Sequence, residues 1–288
     1  MSTEQTQAPI GTPITQDRLF RLAFALAVLC SVAFQGSRGL YESTEGRYAE
    51  CARQTLESGN FLEPMLNGEH HWTKPPLTYV AIAGGLKILG GNAWGVRAFL
   101  AVCFVLTVMA VYFLGGFLWG NAAAGWSALI YATSPFPVAS ANAVSTDTML
   151  VLWQTCSMAF FWAAIRSQKT GYTILMWAAL GFAVLTKGPM GFLPLVGFVP
   201  IYLVLRRRGI KVPGIFNPLG WAIFAVIGMT WYLYAVGRHP ELLNYWVMHE
   251  TIGRMAQGEF DRNSQTYKIL AMYVPIMLGG TGIWAFLL

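Results

Sequence analysis

Long apolar runs limit how this chain can fold more than any other feature. A helix needs about 20 apolar residues to cross the ~30 Å hydrocarbon layer of a bilayer. Eight apolar stretches approach that length: residues 19–36, 96–118, 122–141, 149–165, 172–185, 190–205, 221–236 and 269–288. Because 55% of the 288 residues are hydrophobic and only 11% are charged, the chain has too little polar surface for a water-soluble domain. The sequence therefore predicts an all-α, polytopic integral membrane protein.

Three basic clusters predict the orientation of these spans, since basic loops remain on the cytoplasmic side. The clusters are Arg18/Arg21, Arg166/Lys169 and Arg206/Arg207/Arg208/Lys211. If the short stretch 76–89 crossed the membrane, the first and last clusters would fall on opposite sides. If it lies in the interface or re-enters, all three clusters face the cytoplasm. We therefore predict a cytoplasmic tail over residues 1–18 and a first external loop from about residue 39 to about residue 94.

The membrane domain is predicted to cover residues 19–288. Its last apolar run reaches Leu288 without a flanking charge or aromatic anchor. We therefore expect the chain to be an N-terminal portion of a longer protein, incomplete at its C-terminus.

The first external loop concentrates charge that the rest of the chain lacks. Residues 43–76 contain eight of the chain's Asp, Glu, Lys and Arg side chains. Residues 44–58 fit a short helix that Ser43 or Thr44 caps and Gly59 ends. Apolar positions along one face indicate a helix lying on the membrane surface. The residues of the charged face alone allow two interpretations: a solvated surface with internal salt bridges, or part of a functional site.

The motifs in and after this loop resemble a known family. They are Thr44-Glu-Gly-Arg-Tyr-Ala-Glu50, Leu56-Glu-Ser-Gly-Asn-Phe61, Pro64-Met-Leu-Asn-Gly68, Lys74-Pro-Pro-Leu77, Ser145-Thr-Asp147, Leu185-Thr-Lys-Gly-Pro189 and the segment around His249, Glu250 and Arg254. Together they resemble the bacterial polyprenyl-phosphate-sugar-dependent glycosyltransferases. These include the aminoarabinose lipid A transferases and are related to the protein O-mannosyltransferases. The resemblance implies a GT-C-like transmembrane bundle in the bacterial inner membrane, with juxtamembrane helices in the first loop and a periplasmic active site.

The resemblance also implies a reaction and roles for residues. A hydroxyl of lipid A, a glycan or a protein would attack the sugar carbon of an undecaprenyl-phosphate donor in a single inverting displacement. That step needs a base for the hydroxyl and cations for the phosphate leaving group. The candidate bases are Glu45 and Asp147, and the candidate phosphate-binding cations are Arg47, Lys74, Lys187 and Arg254.

Two positions depart from the family pattern. Many members have Asp-Glu where this chain has Thr44-Glu45, and Thr44 cannot act as a base. Members also often have an acid where this chain has Thr73, so a metal site that used that acid would be weakened. No cofactor is predicted. A divalent metal stays open because His70, His71, His239 and His249 all fall on the predicted external face, although their spacing is not diagnostic.

Each candidate has a structural alternative. Asp147 or Thr146 fits a helix N-cap, Lys187 fits a lysine reaching the interface from a helix end, and Lys74 fits an interface anchor before Pro75-Pro76.

Two other functional classes also stay open: a transporter or flippase, and a noncatalytic subunit that binds a polyprenyl lipid. We find no repeat between the two halves of the chain, which disfavours the transporter. The net charge of +6 comes mostly from the predicted cytoplasmic flanks, so it indicates membrane orientation, with membrane lipids and not nucleic acid as partners.

Overall fold

The computed structural model describes residues 18–33, 35–41, 44–248 and 266–287, and these form a helical bundle. The α-helices are α1 (Arg18–Val32), α2 (Glu45–Ser58), α3 (Leu77–Leu89), α4 (Ala93–Trp119), α5 (Asn121–Thr133), α6 (Pro135–Ala141), α7 (Asp147–Ser167), α8 (Thr170–Lys187), α9 (Leu193–Arg207), α10 (Pro218–Arg238), α11 (Glu241–Asn244) and α12 (Thr266–Thr281). Short 3₁₀ segments cover Gly188–Phe192 and Gly282–Leu287. The predicted all-α fold is therefore confirmed.

One small β-hairpin interrupts the helices. Strand β1 (Met65–Leu66) pairs antiparallel with β2 (Glu69–His70). Asn67 and Gly68 join them with φ angles of 53° and 85°. An Asn-Gly pair is the usual signal for such a turn, because both central residues need positive φ.

Fewer helices than predicted are long enough to span a bilayer. Within the described residues, four helical runs have the necessary length and hydropathy: α4, α7, Thr170–Arg207 and α10. The predicted spans 19–36 and 122–141 instead contain α1, of 15 residues, and α5, of 13. The break after α5 has a local cause. Ser134 precedes Pro135, and its extended backbone (ψ 130°) is the conformation that a following proline imposes.

The run Thr170–Arg207 is folded back on itself as the pair α8 and α9. Thr170 and Arg206 line the same cavity although they stand at opposite ends of the run. The reversal occurs at Gly188, whose φ is +64°. Gly191 then lies so close to α8 that an added Cβ would be 2.4 Å from the Val184 backbone nitrogen. The two predicted spans 172–185 and 190–205 therefore correspond to separate antiparallel helices.

The bundle separates charge between its two ends. At one end, the Arg166 side chain donates to the Phe117 carbonyl at the end of α4, and Gln168 donates to the carbonyl of Lys211. Phe20, near the start of α1, packs on Tyr112 with ring centroids 4.4 Å apart. The three basic clusters therefore share this end, which we call the basic end.

The first loop covers the opposite end. Helices α2 and α3 pack on α4 and α7 through a common apolar cluster that includes Tyr48, Cys51, Tyr79, Leu100 and Val144. Helix α3 has 13 residues and is too short to span, as expected for the stretch 76–89. Helix α2 begins and ends as predicted, with Gly59 at φ 69° after its last residue, but the Thr44 side chain makes no capping hydrogen bond.

Candidate active site

The candidate site is built around an ion pair between two helix ends. Helix α7 begins at Asp147, and α8 ends at Lys187. The Lys187 Nζ donates to Asp147 Oδ1 in a salt bridge. The Asp147 side chain is 56% exposed and that of Lys187 is 26% exposed. Asp147 and Lys187, which the sequence did not predict to be partners, therefore neutralise each other at the end of the bundle opposite the basic end.

The geometry of Asp147 leaves one carboxylate oxygen accessible. The backbone N–H of Asp147 donates to the Ser145 hydroxyl at 3.2 Å, so Ser145 satisfies the first amide of α7. Asp147 itself is the first residue of α7 and directs its carboxylate to Lys187. Within the described part of the chain, its Oδ2 accepts no hydrogen bond. Lys187 therefore orients the Asp147 carboxylate, and one oxygen is left for a further hydrogen bond.

Helix α2 contributes a cation and a tyrosine to the same site. The exposed Arg47 guanidinium lies 5.8 Å from the ring centroid of Tyr48. The pKa of Tyr48 is raised, chiefly because its phenol is buried. Arg47 and a hydrogen bond with Thr146 lower this pKa, whereas the charge of Asp147 raises it. The Tyr48 phenol therefore lies within the electrostatic reach of both Arg47 and Asp147. Arg47 has no ion-pair partner among the described residues.

Helix α3 and the segment before it complete this side of the site. Tyr79 packs against Tyr48 with ring centroids 5.4 Å apart. Burial raises the pKa of Tyr79, while Thr73 and Arg47 lower it. Thr73 Oγ1 is hydrogen-bonded to His71 Nε2 at 2.7 Å, and Lys74 Nζ donates to the Thr73 carbonyl at 2.8 Å. Thr73 is therefore hydrogen-bonded through both its side chain and its carbonyl.

Glu45 occupies a different environment although it also begins a helix. Its side chain is 3% exposed and forms salt bridges to Arg38 at 2.6 Å and to Arg97 at 2.8 Å. It also accepts the backbone N–H groups of Tyr41 and Val144, each at 2.9 Å. Both carboxylate oxygens are therefore occupied by donors from four residues in three segments of the chain.

These donors change the acidity of Glu45. Burial alone would raise its pKa, but the hydrogen bonds from Arg38, Arg97 and the two amides lower it well below the ordinary value of glutamate. A carboxylate that is held strongly in its charged form is a poor proton acceptor near neutral pH. This environment therefore disfavours the predicted role of Glu45 as a base.

Sequence reasoning missed Arg97 and Arg38, which complete this network. Arg97 is 1% exposed, and it donates to the Gln35 carbonyl at 2.6 Å and the Gly39 carbonyl at 2.8 Å as well as to Glu45. The available signal was a single arginine at the start of the apolar stretch that becomes α4. Its partner stands 52 positions earlier, so local patterning could not identify the pair.

A second network attaches the rest of the first loop to α10. Glu63 accepts from the Tyr234 hydroxyl at 2.9 Å and pairs with Arg238 at 3.3 Å. Burial would raise the pKa of Glu63, but Tyr234, Asn60 and Arg238 lower it. Indole N–H groups of the Trp231 and Trp246 side chains donate to loop carbonyls, each at 2.8 Å. The loop is therefore fixed over this end of the bundle.

Three candidates from the sequence fall outside this description. Arg254, His249 and Glu250 lie outside the described residues, so the roles predicted for them stay predictions. Among the residues that the structure describes, no three His, Cys, Asp or Glu side chains form a group suited to a metal ion. His70 stacks on Trp72 at 5.2 Å, and His71 bonds to Thr73.

Comparison with known proteins relates this arrangement to a family. Residues 20–246 match the family model described as dolichyl-phosphate-mannose-protein mannosyltransferase. An undecaprenyl phosphate-alpha-4-amino-4-deoxy-L-arabinose arabinosyl transferase of Pseudomonas savastanoi is 30% identical over 90% of this chain and 48% of its own length. The corresponding transferase of Yersinia enterocolitica is 29% identical over 94% of this chain and 48% of its own length.

Solved structures agree with these sequence matches. The crystal structure of ArnT from Cupriavidus metallidurans in the apo state has a TM-score of 0.78 and 25% identity, covering 93% of this chain and 49% of that one. The same protein bound to undecaprenyl phosphate has a TM-score of 0.77 and 26% identity over the same shares. The chain thus spans about half the length of the relatives it matches.

Proposed function

The chain belongs to the dolichyl-phosphate-mannose-protein mannosyltransferase family, and on that premise we propose that its site moves a sugar from a polyprenyl-phosphate donor to an external hydroxyl. The observation that carries the proposal is the Asp147–Lys187 pair, exposed beside Arg47 and Tyr48. A carboxylate next to cations supplies the two things that this transfer needs, a proton acceptor and charge for a phosphate leaving group.

We assign the base to Asp147. Its exposed carboxylate has an oxygen free for a hydroxyl proton, and Lys187 holds the other oxygen. Attack by the acceptor oxygen on the anomeric carbon would form the new glycosidic bond as the bond to the phosphate oxygen breaks. The hydroxyl proton would go to Asp147, and polyprenyl phosphate would leave with the electron pair. Attack opposite the leaving group would invert the anomeric centre.

The cations divide between two roles in this proposal. Arg47 is exposed beside the site, and its planar guanidinium suits two-point contact with phosphate oxygens. Lys74 is half-buried on the neighbouring segment and would contribute a second positive charge. Lys187 would orient Asp147 and reach the phosphate only when that pair opens. Arg254 keeps its predicted phosphate contact as an untested part of the proposal.

We assign Glu45 a positioning role in place of the proton-transfer role considered from the sequence. Its carboxylate ties α2, which carries Arg47 and Tyr48, to α4 through Arg97 and to the approach of α7 through the Val144 amide. Removal of Glu45 would therefore displace the site by loosening the elements that carry it.

The separation of charge supports one orientation of the protein in the membrane. The end with the three basic clusters would face the cytoplasm, and the Asp147 end would face the periplasm of a bacterial inner membrane. The donor would then be an undecaprenyl-phosphate sugar, as the names of the relatives say of those proteins. Lipid A is the acceptor we favour, with a glycan or a protein hydroxyl as alternatives of the same chemistry.

The test is transfer by the full-length protein in membranes supplied with radiolabelled undecaprenyl-phosphate sugar. Asp147→Asn should lower transfer by about 10²- to 10⁴-fold, the usual contribution of a positioned acid or base. Glu57→Gln is the matched control, because Glu57 is an acid with a 62% exposed side chain whose ion pair within the described part of the chain is to Arg53 of the same helix. This control should transfer at the wild-type rate.

The outcomes separate the functional classes. Label that reaches a lipid A fraction with wild type and Glu57→Gln, but not with Asp147→Asn, supports both the transferase and the assigned base. Equal transfer by all three proteins would reject Asp147 as the base. Donor that wild type binds but never consumes would favour the noncatalytic lipid-binding alternative, for which Thr44 in place of the family Asp is the motivating feature.

A further inference from the structure

A second cavity lies at the basic end, away from the candidate active site. Its volume is about 720 Å³, within the range of small-molecule sites. Thr170 from the start of α8, Tyr202 and Arg206 from the end of α9, and the connecting residues 209–217 line it. Because Thr170 and Lys187 stand at opposite ends of α8, about 26 Å of helix separates this cavity from the Asp147–Lys187 pair.

The cavity is strongly basic, and no acidic residue lines it among the residues that the structure describes. Arg206 and Lys211 line it, and Arg207 and Arg208 stand beside Arg206 in the chain. All four side chains are exposed, and none forms an ion pair with any described residue. The sequence contains no Asp or Glu between Asp147 and Glu241. An anion that enters this cavity therefore meets several cations without a competing carboxylate from its own walls.

The loop that forms the cavity wall is held in place by specific contacts. The Thr173 hydroxyl donates to the Pro213 carbonyl, and the indole N–H groups of Trp177 and Trp221 donate to the Ile215 carbonyl at 3.1 and 3.2 Å. Gly214 approaches α8 so closely that an added Cβ would be 2.3 Å from the Thr170 methyl group. The cavity is therefore a fixed feature of the fold and not a gap in a loose loop.

The surroundings indicate what kind of anion fits. Large apolar side chains that are 42–66% exposed flank the basic loop on both sides, in α9, the loop and α10: Leu203, Val204, Ile210, Phe216, Leu219 and Trp221. Helix α10 and the run Thr170–Arg207, which contains α9, are long and apolar enough to cross a membrane, so we expect these side chains to meet lipid tails. A ligand with a charged head and apolar chains satisfies both parts of the surface, whereas a free anion satisfies only one.

We propose that this cavity binds the headgroup of an anionic phospholipid. Its phosphate diester contacts Arg206 and Lys211, and its acyl chains follow the exposed apolar faces of α9 and α10. This site is distinct from the donor-phosphate site proposed above and does not depend on transferase activity. Its occupant would link the ends of α8 and α9 and the loop between α9 and α10.

The experiment is a titration of the detergent-purified full-length protein with phosphatidylglycerol, read by native mass spectrometry. Loss of two charges near the surface should weaken binding about thirtyfold, so Arg206→Gln/Lys211→Gln is the test variant. Arg18→Gln/Arg21→Gln removes the same charge from the same end but from residues that do not line the cavity, and it should bind within twofold of wild type. The exchange variant Arg206→Lys/Lys211→Arg keeps both positive charges and should bind like wild type. Weak binding by the test variant alone would then be due to its lost charges and not to a disturbed fold.

Each result decides the proposal. One phosphatidylglycerol retained by wild type, the control and the exchange variant, but lost from the test variant, supports it. Equal binding by wild type and the test variant overturns it, as does equal loss from the Arg18/Arg21 control. Phosphatidylcholine that binds as tightly as phosphatidylglycerol would show that the net charge of the headgroup is irrelevant and would also overturn it. Inorganic phosphate at millimolar concentration that displaces the lipid completely would assign the cavity to a free anion instead.

Discussion

Glu45 and Asp147 occupy the same helical position in two different environments. Each is the first residue of its helix, where a negative charge is favourable to the helix dipole. Glu45 is 3% exposed with two arginines and two amides as donors, whereas Asp147 is 56% exposed with one lysine. The position of a carboxylate in a helix therefore does not by itself identify a residue that takes part in the reaction. The number of donors and the exposure separate a structural carboxylate from one that is available to a substrate.

The largest expected effect tests the structural side of this comparison. Glu45→Gln leaves Arg97 buried without a full countercharge, and breaking a buried pair in this way costs about 3–5 kcal/mol. Asp147→Asn removes an exposed pair and should change the free energy of unfolding by at most about 1 kcal/mol. Thermal unfolding of both variants in the same detergent measures the difference. Equal melting temperatures of the two variants would show that Glu45 contributes no more to stability than Asp147.

Acid provides a second and smaller test of the same network. The folded-state pKa of Glu45 is lower than its unfolded value of about 4.3, so the unfolded chain binds its proton first as the pH falls. The stability from Glu45 is therefore fully present above about pH 4.3 and declines as the pH falls toward the folded-state pKa.

The measurement is the melting temperature of wild type and Glu45→Gln between pH 6 and pH 3. Other acids titrate in both proteins, so the difference between the two curves isolates Glu45. We expect the gap to narrow as the pH falls. A constant gap would mean that the pKa of Glu45 does not differ between the folded and unfolded states.

The smallest expected effect separates the two arginines. Arg38 is 30% exposed, and its loss leaves Glu45 with Arg97 and both amides. Arg38→Gln should therefore cost about 1 kcal/mol of unfolding free energy, less than Arg97→Gln, and thermal unfolding ranks the two. Arg53→Gln is the control, because its pairs with Glu50 and Glu57 lie on the exposed face of α2, and its melting temperature should equal that of wild type. If Arg38→Gln and Arg97→Gln were equal, burial would not govern the strength of this network.

Local patterns in the sequence predicted the local structure well. Helix α2 and its end at Gly59 follow from the sequence, because glycine is free to adopt positive φ. The i, i+4 spacing of Arg53 and Glu57 also fits their salt bridge, but the i, i+3 spacing of Arg47 and Glu50 misled, since within the described residues Glu50 pairs with Arg53 instead. The break after α5 was missed, because the predicted span 122–141 rested on hydropathy, although Ser134-Pro135 marks the break in the sequence. Hydropathy averages over a window and therefore joins helices that a proline separates.

Contacts between distant parts of the chain could not be read in the same way. Glu45 meets Val144 across 99 positions, and Asp147 meets Lys187 across 40. Each partner is an ordinary residue in its own segment, and only the packing of α2, α4, α7 and α8 brings them together. Arg97 was missed for this reason, because a lone arginine at the start of an apolar run fits an interface anchor as well as a buried partner.

The reversal at Gly188 has a consequence for how the protein is made. Residues 170–205 contain one charged side chain, that of Lys187, and it lies at the tip of the α8–α9 pair. If the Asp147 end faces the periplasm as we propose, the two helices would enter the bilayer together as one unit during biosynthesis, with a single ammonium group to be carried across. In that orientation the arginines that follow α9 would remain on the cytoplasmic side and anchor the pair. A second charge placed at Gly191, where the backbone of α8 already leaves no room for a side chain, would therefore hinder insertion as well as packing.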